Sequence, residues 1–153
     1  MLTAAAAGLG LLILPSAAAA QGPPAPMCTI SVVGVAFGTY NPFTPTPTDS
    51  TGSVVFNCNN FAKNIRVTLG PGQSGTFFSR AMQSGPQSLG YNLFLDAART
   101  IVWGNGTGGT SDYTDNNPPN DTDVVLTVYG RVPGGIDVGV GTYTDTVVAT
   151  IEF

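Results

Sequence analysis

Few side chains in this sequence are of types that carry out catalysis. The chain has 153 residues and no histidine, and Lys63 is its single lysine. Nucleophilic and acid–base catalysis generally use a histidine, an activated cysteine or lysine, or paired carboxylates. Asp96 and Arg99 are spaced to pair across a turn beside Tyr91, but an ordinary surface ion pair explains them equally well. We therefore predict that the protein is not an enzyme, with hydrolysis by carboxylates alone as the alternative left open.

Two further segments contain groups that bind ligands in other proteins. The glycine-rich run Gly104–Gly109 lacks the Gly-Lys-Ser/Thr ending of a phosphate-binding loop. The longer segment Gly104–Asp123 gathers aspartate and asparagine oxygens, so a calcium site is conceivable. Its spacing matches no calcium loop, however, and Pro118 and Pro119 interrupt it. A solvated connection is the preferred interpretation, and we predict neither a metal nor a cofactor.

The N-terminus has the pattern of a secretory signal peptide. Leu2 to Ala20 are all apolar or small, and the apolar centre Gly8 to Leu14 is too short to span a bilayer. Ala18 and Ala20 supply the small-x-small pattern that a signal peptidase cleaves, although no lysine or arginine precedes the apolar run. We predict a signal peptide at residues 1–20 and a single domain at 21–153, with no stable membrane span after cleavage.

The two cysteines, Cys28 and Cys58, are predicted to form a disulfide. Exported proteins meet an oxidising compartment, in which a pair of cysteines is most simply explained by a disulfide. Two sulfurs cannot complete a zinc site, and the chain has no histidine to help them. Closing a loop of this length stabilises the fold by about 3 to 4 kcal/mol in the chain-entropy model.

Composition and charge restrict the fold class and the partners. Charged residues make up 9% of the chain, whereas 20 glycines and 12 prolines favour short strands joined by tight turns. The net charge is −4 and no basic cluster occurs, which argues against a nucleic-acid partner and against an anionic membrane surface.

The hydrophobic pattern predicts an all-β sandwich of seven or eight short strands. The clearest strand is the C-terminal one, in which Tyr143, Val147, Ala149, Ile151 and Phe153 fall on one face. The other predicted strands are separated from one another by glycine, proline and asparagine. They are Thr29–Phe37, Ser53–Cys58, Asn64–Leu69, Thr76–Met82, Ser88–Leu95, Thr100–Trp103 and Asp123–Val132.

Short motifs follow one another along nearly the whole predicted domain. They are Cys28, Val35–Pro42, Gly52–Cys58, Val67–Gly72, Arg80–Met82, Leu89–Asp96, Trp103–Gly104, Val128–Pro133 and Gly141–Val147. In their order and number they resemble the spore coat protein U family, whose characterised relatives include subunits of archaic chaperone-usher pili.

The resemblance implies an immunoglobulin-like β-sandwich that lacks its last strand. Such subunits are completed by a strand from a periplasmic chaperone and then by the N-terminal extension of the next subunit, which is β-augmentation. The implied partners are the chaperone, an outer-membrane usher and other pilus subunits, and the implied location is a fimbria on the cell surface that supports attachment and biofilm formation. By analogy, the edge that contacts the donor strand or the chaperone is the terminal strand, with Val147, Ala149, Ile151 and Phe153.

One part of the sequence departs from the polymerising members of that family. A donor strand needs roughly nine extended residues before the first cysteine, and only Gln21–Met27 precede Cys28 here. Pro23, Pro24 and Pro26 cannot donate the N–H groups of a β-ladder. We therefore expect a subunit that accepts a strand but donates one poorly, at a pilus tip or acting alone.

Two alternative functions stay open from the sequence. A tip adhesin would use aromatic side chains such as Tyr40, Phe43, Phe77, Phe78 and Trp103 to contact a surface. Phe77 and Phe78 would point to opposite faces of a strand, so one of them is expected to point outward, and covering a core edge is the competing explanation. The family name suggests the second alternative, a coat protein of dormant cells.

Overall fold

The computed structural model describes residues 22–153, which form nine β-strands and no helix. The strands, in chain order, are β1 (Met27–Val33), β2 (Thr48–Asn59), β3 (Ile65–Leu69), β4 (Ala81–Ser84), β5 (Gln87–Gly90), β6 (Asn92–Phe94), β7 (Tyr113–Asp115), β8 (Val124–Val132) and β9 (Ala149–Glu152).

Two antiparallel sheets face each other across an apolar core. The first has the strand order β1-β2-β8-β6, and the second has the order β7-β3-β9. Strands β4 and β5 form a separate two-stranded hairpin. The most deeply buried large side chains come from both sheets and from the loops between them, and they are Val54, Phe56, Ile65, Val67, Arg80, Trp103 and Val132. The sandwich class predicted from the sequence is confirmed.

The longest pairing, between β2 and β8, supplies the central part of the first sheet. It runs from Thr48 opposite Val132 to Phe56 opposite Val124. Because successive side chains of a strand point to opposite faces, Val54 and Phe56 enter the core while Val55 faces outward. Burying such a side chain contributes about 1.5 to 3 kcal/mol, so β2 and β8 stabilise much of the sandwich.

The predicted strand Thr76–Met82 is wrong over most of its length, because regular structure begins only at Ala81. The chain turns at Gly75, which has a φ of 73°, a value that glycine adopts without strain. The Arg80 side chain then points into the interior of the protein. Phe77 and Phe78 therefore do not lie on opposite faces of a strand.

Three further segments differ from the predicted pattern. Ser88–Leu95 is interrupted at Tyr91, whose N–H donates to the Arg80 carbonyl oxygen at 2.9 Å. Thr100–Trp103 forms only isolated bridges instead of a strand. The stretch without a strand pattern after Gly104 contains a short strand, β7, because Tyr113–Asp115 pairs with β3.

The predicted signal peptide and the predicted terminal strand lie at the two ends of the chain. The predicted signal peptide, residues 1–20, lies outside the described residues. From residue 22 onward, no helix is long and apolar enough to cross a membrane. The predicted terminal strand is present from Ala149 to Glu152 and pairs with β3.

Candidate binding groove along the open edge

An apolar groove runs along the side of the sandwich where β1 and β9 are the outermost strands. Its two adjoining parts have volumes of about 390 and 650 Å³. Residues 32–43 contribute one wall and residues 138–149 the other, while core side chains such as Leu69 and Leu93 form the floor. The two parts share four lining residues, Val35, Phe37, Met82 and Tyr143.

The first wall forms because the chain leaves the first sheet after Val33. Gly52 lies close to that point, and a Cβ atom at position 52 would be only 2.5 Å from the Val33 carbonyl oxygen. Beyond Val33, the side chains of Val35 and Phe37 lie over Gly130. A Cβ atom at position 130 would be only 2.7 Å from the Val35 side chain and 2.8 Å from the Phe37 ring. The predicted strand Thr29–Phe37 is thus a strand only to Val33, and its last residues line the groove instead.

The second wall is fixed to the protein from its inner side. The Thr144 and Gln83 backbones exchange two hydrogen bonds, at 2.8 and 3.1 Å, and the Gly70 N–H donates to the Val148 carbonyl oxygen at 2.8 Å. The Tyr143 hydroxyl is 2.8 Å from Gln87 Oε1. These contacts hold the wall extended with one side toward the groove.

Both strands that flank the groove have one unpaired backbone edge. Within residues 22–153, β1 pairs only with β2, and β9 pairs only with β3. Unpaired N–H and C=O groups on a sheet edge are ready to pair with another strand. One end of the groove thus reaches the free edge of β1 at Val32 and Val33 and the free edge of β9 at Ala149.

One hydrogen-bonded pair, Tyr91 and Asp145, lies among the apolar side chains that line the groove. The Tyr91 hydroxyl donates to Asp145 Oδ2 at 2.7 Å. Asp145 Oδ1 accepts from the backbone N–H groups of Gln73 at 2.9 Å and Thr146 at 2.7 Å. Burial, together with the hydrogen bond to Asp145, raises the pKa of the Tyr91 phenol, so the hydroxyl stays protonated.

This polar pair was not predicted, although the sequence carried a signal for it. Asp145 falls on the same face of the alternating C-terminal segment as Tyr143 and Val147. A carboxylate on the apolar face of a strand pattern is unusual, because burying a charge is costly unless it is hydrogen-bonded. The structure places Asp145 on the groove side, where Tyr91 meets it.

Arg80 supports the groove from beneath and is fully buried. Its guanidinium donates to the carbonyl oxygen of Gly70 from Nε at 3.1 Å and from Nη2 at 2.7 Å, and to Asn92 Oδ1 at 2.7 Å. Nη2 also donates to the Trp103 carbonyl oxygen at 2.7 Å. Burial lowers the pKa of Arg80, although an arginine stays charged in proteins. No hydrophobic pattern in the sequence indicated that the Arg80 side chain would be buried.

The disulfide joins Cys28 of β1 to Cys58 of β2, as predicted. The two residues stand directly opposite each other in the antiparallel ladder, with Cα atoms 4.1 Å apart. Because β1 leads into the first wall of the groove, this bond holds that wall to the centre of the first sheet.

The residues predicted for the donor-contacting edge divide into two groups. Val147 and Ala149 line the groove. Ile151 packs against the core, while Phe153 is 54% exposed and does not line the groove. The role assigned to these four residues stays a prediction, and the structure adds an opposite wall, residues 32–43, that sequence reasoning missed.

The predicted surface-contact aromatics have three different environments. Trp103 is fully buried, and its indole Nε1 donates to the Val67 carbonyl oxygen at 3.0 Å, so its proposed role as a surface contact is wrong. The Phe77 ring lies over the Arg80 guanidinium, with the centroid 5.6 Å away. Phe78 alone of the three is largely exposed, at 58%.

The polar residues considered for chemistry are dispersed. Arg99 forms an ion pair with Asp49 instead of with Asp96, and its Nη1 lies 3.3 Å from Asp49 Oδ2. Asp96 accepts from the backbone of Ile101 and Thr100, and these hydrogen bonds hold the pKa of its carboxyl below the usual value.

In the acidic loop that was considered for calcium, the carboxylates bind separate partners. Asp112 pairs with Arg66, and Asp123 accepts from Asn57 Nδ2 at 2.8 Å. In the described part of the chain, no three histidine, cysteine or carboxylate side chains converge as a metal site requires.

Two facing sheets with a free edge on each side of an apolar groove define an incomplete β-sandwich. The chain belongs to the Spore Coat Protein U domain family, whose match covers residues 16–150. It is 35% identical over 130 residues to Protein U of Myxococcus xanthus, with 76% of this chain and 70% of that protein covered.

Solved structures of pilus components are also similar. The chaperone-tip adhesion subunit pre-assembly complex CsuC-CsuE, from the archaic chaperone-usher Csu pili of Acinetobacter baumannii, matches with a TM-score of 0.56 and 26% identity. That match covers 84% of this chain and 40% of the other, so this chain spans less than half of its length. The Escherichia coli Hda pilus minor tip subunit HdaB matches with a TM-score of 0.39 and 18% identity, covering 80% of this chain and 79% of that one.

The family match and the Csu structure define the class of the protein. The immunoglobulin-like sandwich expected from the sequence is confirmed, as is the resemblance to the spore coat protein U family. The chain is a structural protein and not an enzyme, in keeping with its family and its structural neighbours.

Proposed function

We propose that this protein is a non-enzymatic subunit of an extracellular pilus and that its groove accepts a strand from another polypeptide. The observation that carries the proposal is the combination of an apolar groove with unpaired edges on β1 and β9. An extended strand fits such a site because its backbone pairs with a free edge while alternate side chains enter the groove.

The dimensions of the groove support an extended ligand. One wall of the groove is formed by residues 32–43 and the other by residues 138–149, so each wall is twelve residues long. A strand rises about 3.3 Å per residue, so a segment of roughly nine to twelve residues would cover this length. The apolar floor favours aliphatic side chains at every second position of that segment.

The partners follow from the same proposal. The Csu complex pairs a chaperone with a tip adhesion subunit. For the present chain we propose a periplasmic chaperone as the first partner, an outer-membrane usher at assembly, and another subunit as the lasting partner. Residues 1–20 would direct export, residues 21–153 would form the assembled domain, and the cell-surface fimbria would be its location, where it supports attachment and biofilm formation.

The acceptor function is tested by adding a synthetic strand peptide to the purified protein. A peptide with alternating aliphatic residues, or one from the N-terminus of a cognate subunit, is expected to raise the melting temperature. At a peptide concentration 100 times the Kd, the gain in stability is about 2.7 kcal/mol. A peptide of the same composition with two central prolines is the control, because proline cannot donate to the ladder.

A matched pair of variants locates the site. Val147 lines the groove, whereas its neighbour Val148 is 64% exposed. Val147→Asp is expected to abolish the peptide-induced stabilisation, and Val148→Asp is expected to leave it intact. The acceptor function is rejected if no cognate peptide stabilises the protein, or if the two variants respond alike.

Adhesion is a second candidate function, favoured by the exposure of Phe43 (90%) and Phe78 (58%). Aromatic side chains are enriched in protein interaction surfaces relative to the rest of the surface. Cells carrying Phe78→Ser would attach less to a surface while presenting the same number of fibres. Unchanged attachment of these cells would remove Phe78 from the adhesive surface.

A coat function in dormant cells is the remaining candidate, and the description of the family favours it. Expression confined to dormancy, with the protein in the coat layer and no fibres on growing cells, would support this function over a pilus.

A further inference from the structure

The groove contains a polar contact point whose hydrogen-bonding capacity is incompletely used. A carboxylate has about four acceptor positions, two on each oxygen. At Asp145, Oδ1 accepts from Gln73 and Thr146, and Oδ2 accepts from the Tyr91 hydroxyl. Three positions are therefore occupied by protein donors, and one position on Oδ2 remains.

The buried Arg80 guanidinium does not bind the Asp145 carboxylate. Burial lowers the pKa of Arg80, and the nearby Tyr91 and Asp145 act in the opposite direction. All hydrogen bonds from Arg80 go to Gly70, Asn92 and Trp103 instead of to the carboxylate. Arg80 thus leaves the free acceptor position of Asp145 unoccupied.

Covering the groove changes the environment of that free position. While the groove is open, water can satisfy the last position on Oδ2. A bound strand excludes water, and an unsatisfied acceptor on a buried charge is costly. A side chain on the strand that donates a hydrogen bond would remove this cost.

We propose that the strand accepted by this groove carries one hydrogen-bond-donating side chain, such as threonine, serine, asparagine or lysine, which binds Asp145 beside Tyr91, with aliphatic side chains on either side. This inference rests on the proposed acceptor function and adds the chemistry of the partner. A shift of the strand by two residues keeps the same set of alternate side chains in the groove, so apolar contacts alone do not distinguish the two registers, whereas a single buried polar contact does. Asp145 is accordingly a specificity-determining residue of the groove.

The test is a set of peptides that differ by single threonine-for-valine exchanges. The parent peptide has valine at each groove-facing position, and each derivative replaces one valine with threonine, which has the same shape but adds a hydroxyl. One derivative is expected to bind about tenfold more tightly than the parent, because a hydrogen bond to a charged acceptor is strong. The other derivatives are expected to bind more weakly, since their hydroxyls enter apolar sites.

Two variants assign the effect to Asp145. In Asp145→Asn, the preference for threonine over valine is expected to shrink to less than about threefold, because the charge that strengthens the bond is gone. In Val147→Ala, all peptides should weaken by a similar factor while the threonine preference persists. The peptide series on the unaltered protein decides the question even if Asp145→Asn fails to fold.

The outcomes separate this inference from the acceptor function itself. If the all-valine peptide binds and no threonine position improves affinity, the acceptor function stands and the polar contact is rejected, as when a retained water satisfies Asp145. If no peptide of the series binds, the acceptor function fails as well.

Discussion

The guanidinium of Arg80 donates from Nη2 to the main-chain carbonyl oxygen of Trp103 at 2.7 Å. The same side chain binds Gly70 and Asn92, so one buried cation joins the segment before β4 to three other parts of the chain. These contacts position Tyr91 and the second wall of the groove. Removing the guanidinium should therefore destabilise the fold.

Arg80→Met is expected to lower the free energy of unfolding by about 3 kcal/mol or more, because several buried acceptors lose their donors. Arg131→Met is the matched control, since Arg131 pairs with Asp49 on the outer face and such exposed pairs contribute about 0 to 1 kcal/mol. Urea unfolding followed by Trp103 fluorescence measures both. A similar small loss in the two variants would contradict the role given to Arg80.

Replacing both Cys28 and Cys58 with alanine is expected to destabilise the protein by about 3 to 4 kcal/mol through the greater entropy of the unfolded chain. The variant should also bind strand peptides more weakly, because the first wall of the groove is no longer held to β2. Denaturation of the unaltered protein with and without a reductant provides the comparison. A reductant effect that persists in the double variant would refute this explanation.

Gly130→Ala is expected to cost about 1 to 3 kcal/mol, because the added methyl group overpacks the space held by Val35 and Phe37. Gly90→Ala is the control, since a Cβ at Gly90 meets nothing within 4 Å. That substitution should be neutral or stabilise by up to about 1 kcal/mol. Equal effects in thermal unfolding would show that the contact at Gly130 is not tight.

Stability is expected to fall at alkaline pH because of Tyr91. The fold raises the pKa of this phenol, so the folded chain keeps its proton where the unfolded chain has lost it. The stabilisation is complete below the unfolded pKa of about 10 and is lost as the pH rises above it.

Tyr91→Phe should therefore weaken the alkaline loss, which urea unfolding at about pH 8 and about pH 11 will measure. Tyr113, whose pKa burial also raises, accounts for a smaller remaining loss. Tyr129→Phe is the control, because it removes a phenol from the outer face of β8. If Tyr91→Phe and Tyr129→Phe behave alike, Tyr91 is not the group responsible.

The features that the sequence revealed are those with a local or periodic signal. Alternation located half of β2 and the whole of β8 and β9, and the pairing of Cys28 with Cys58 followed from their number and the predicted export. Turn residues also separated β2 from β3 and β8 from β9, although Ser88–Leu95 contains two strands instead of one. In each case the information lies within a few neighbouring residues or in a simple count.

The features that the sequence did not reveal depend on contacts between distant segments. Arg80 finds its acceptors 10 to 23 residues away, and nothing near it in sequence predicts an inward orientation. Trp103 was mistaken for a surface residue because an indole suits either environment until its N–H partner is known. The first wall of the groove requires Gly130, nearly a hundred residues after Val35, to leave it space.

The bond between Cys28 and Cys58 also limits how far the protein extends under mechanical tension. The two cysteines are 30 residues apart in sequence. While their bond is intact, the chain between them cannot lengthen when the ends are pulled, which withholds roughly 100 Å of contour length. A load that enters through β1 passes directly into β2, so a fibre built from such domains would stretch less before it loses its sheets.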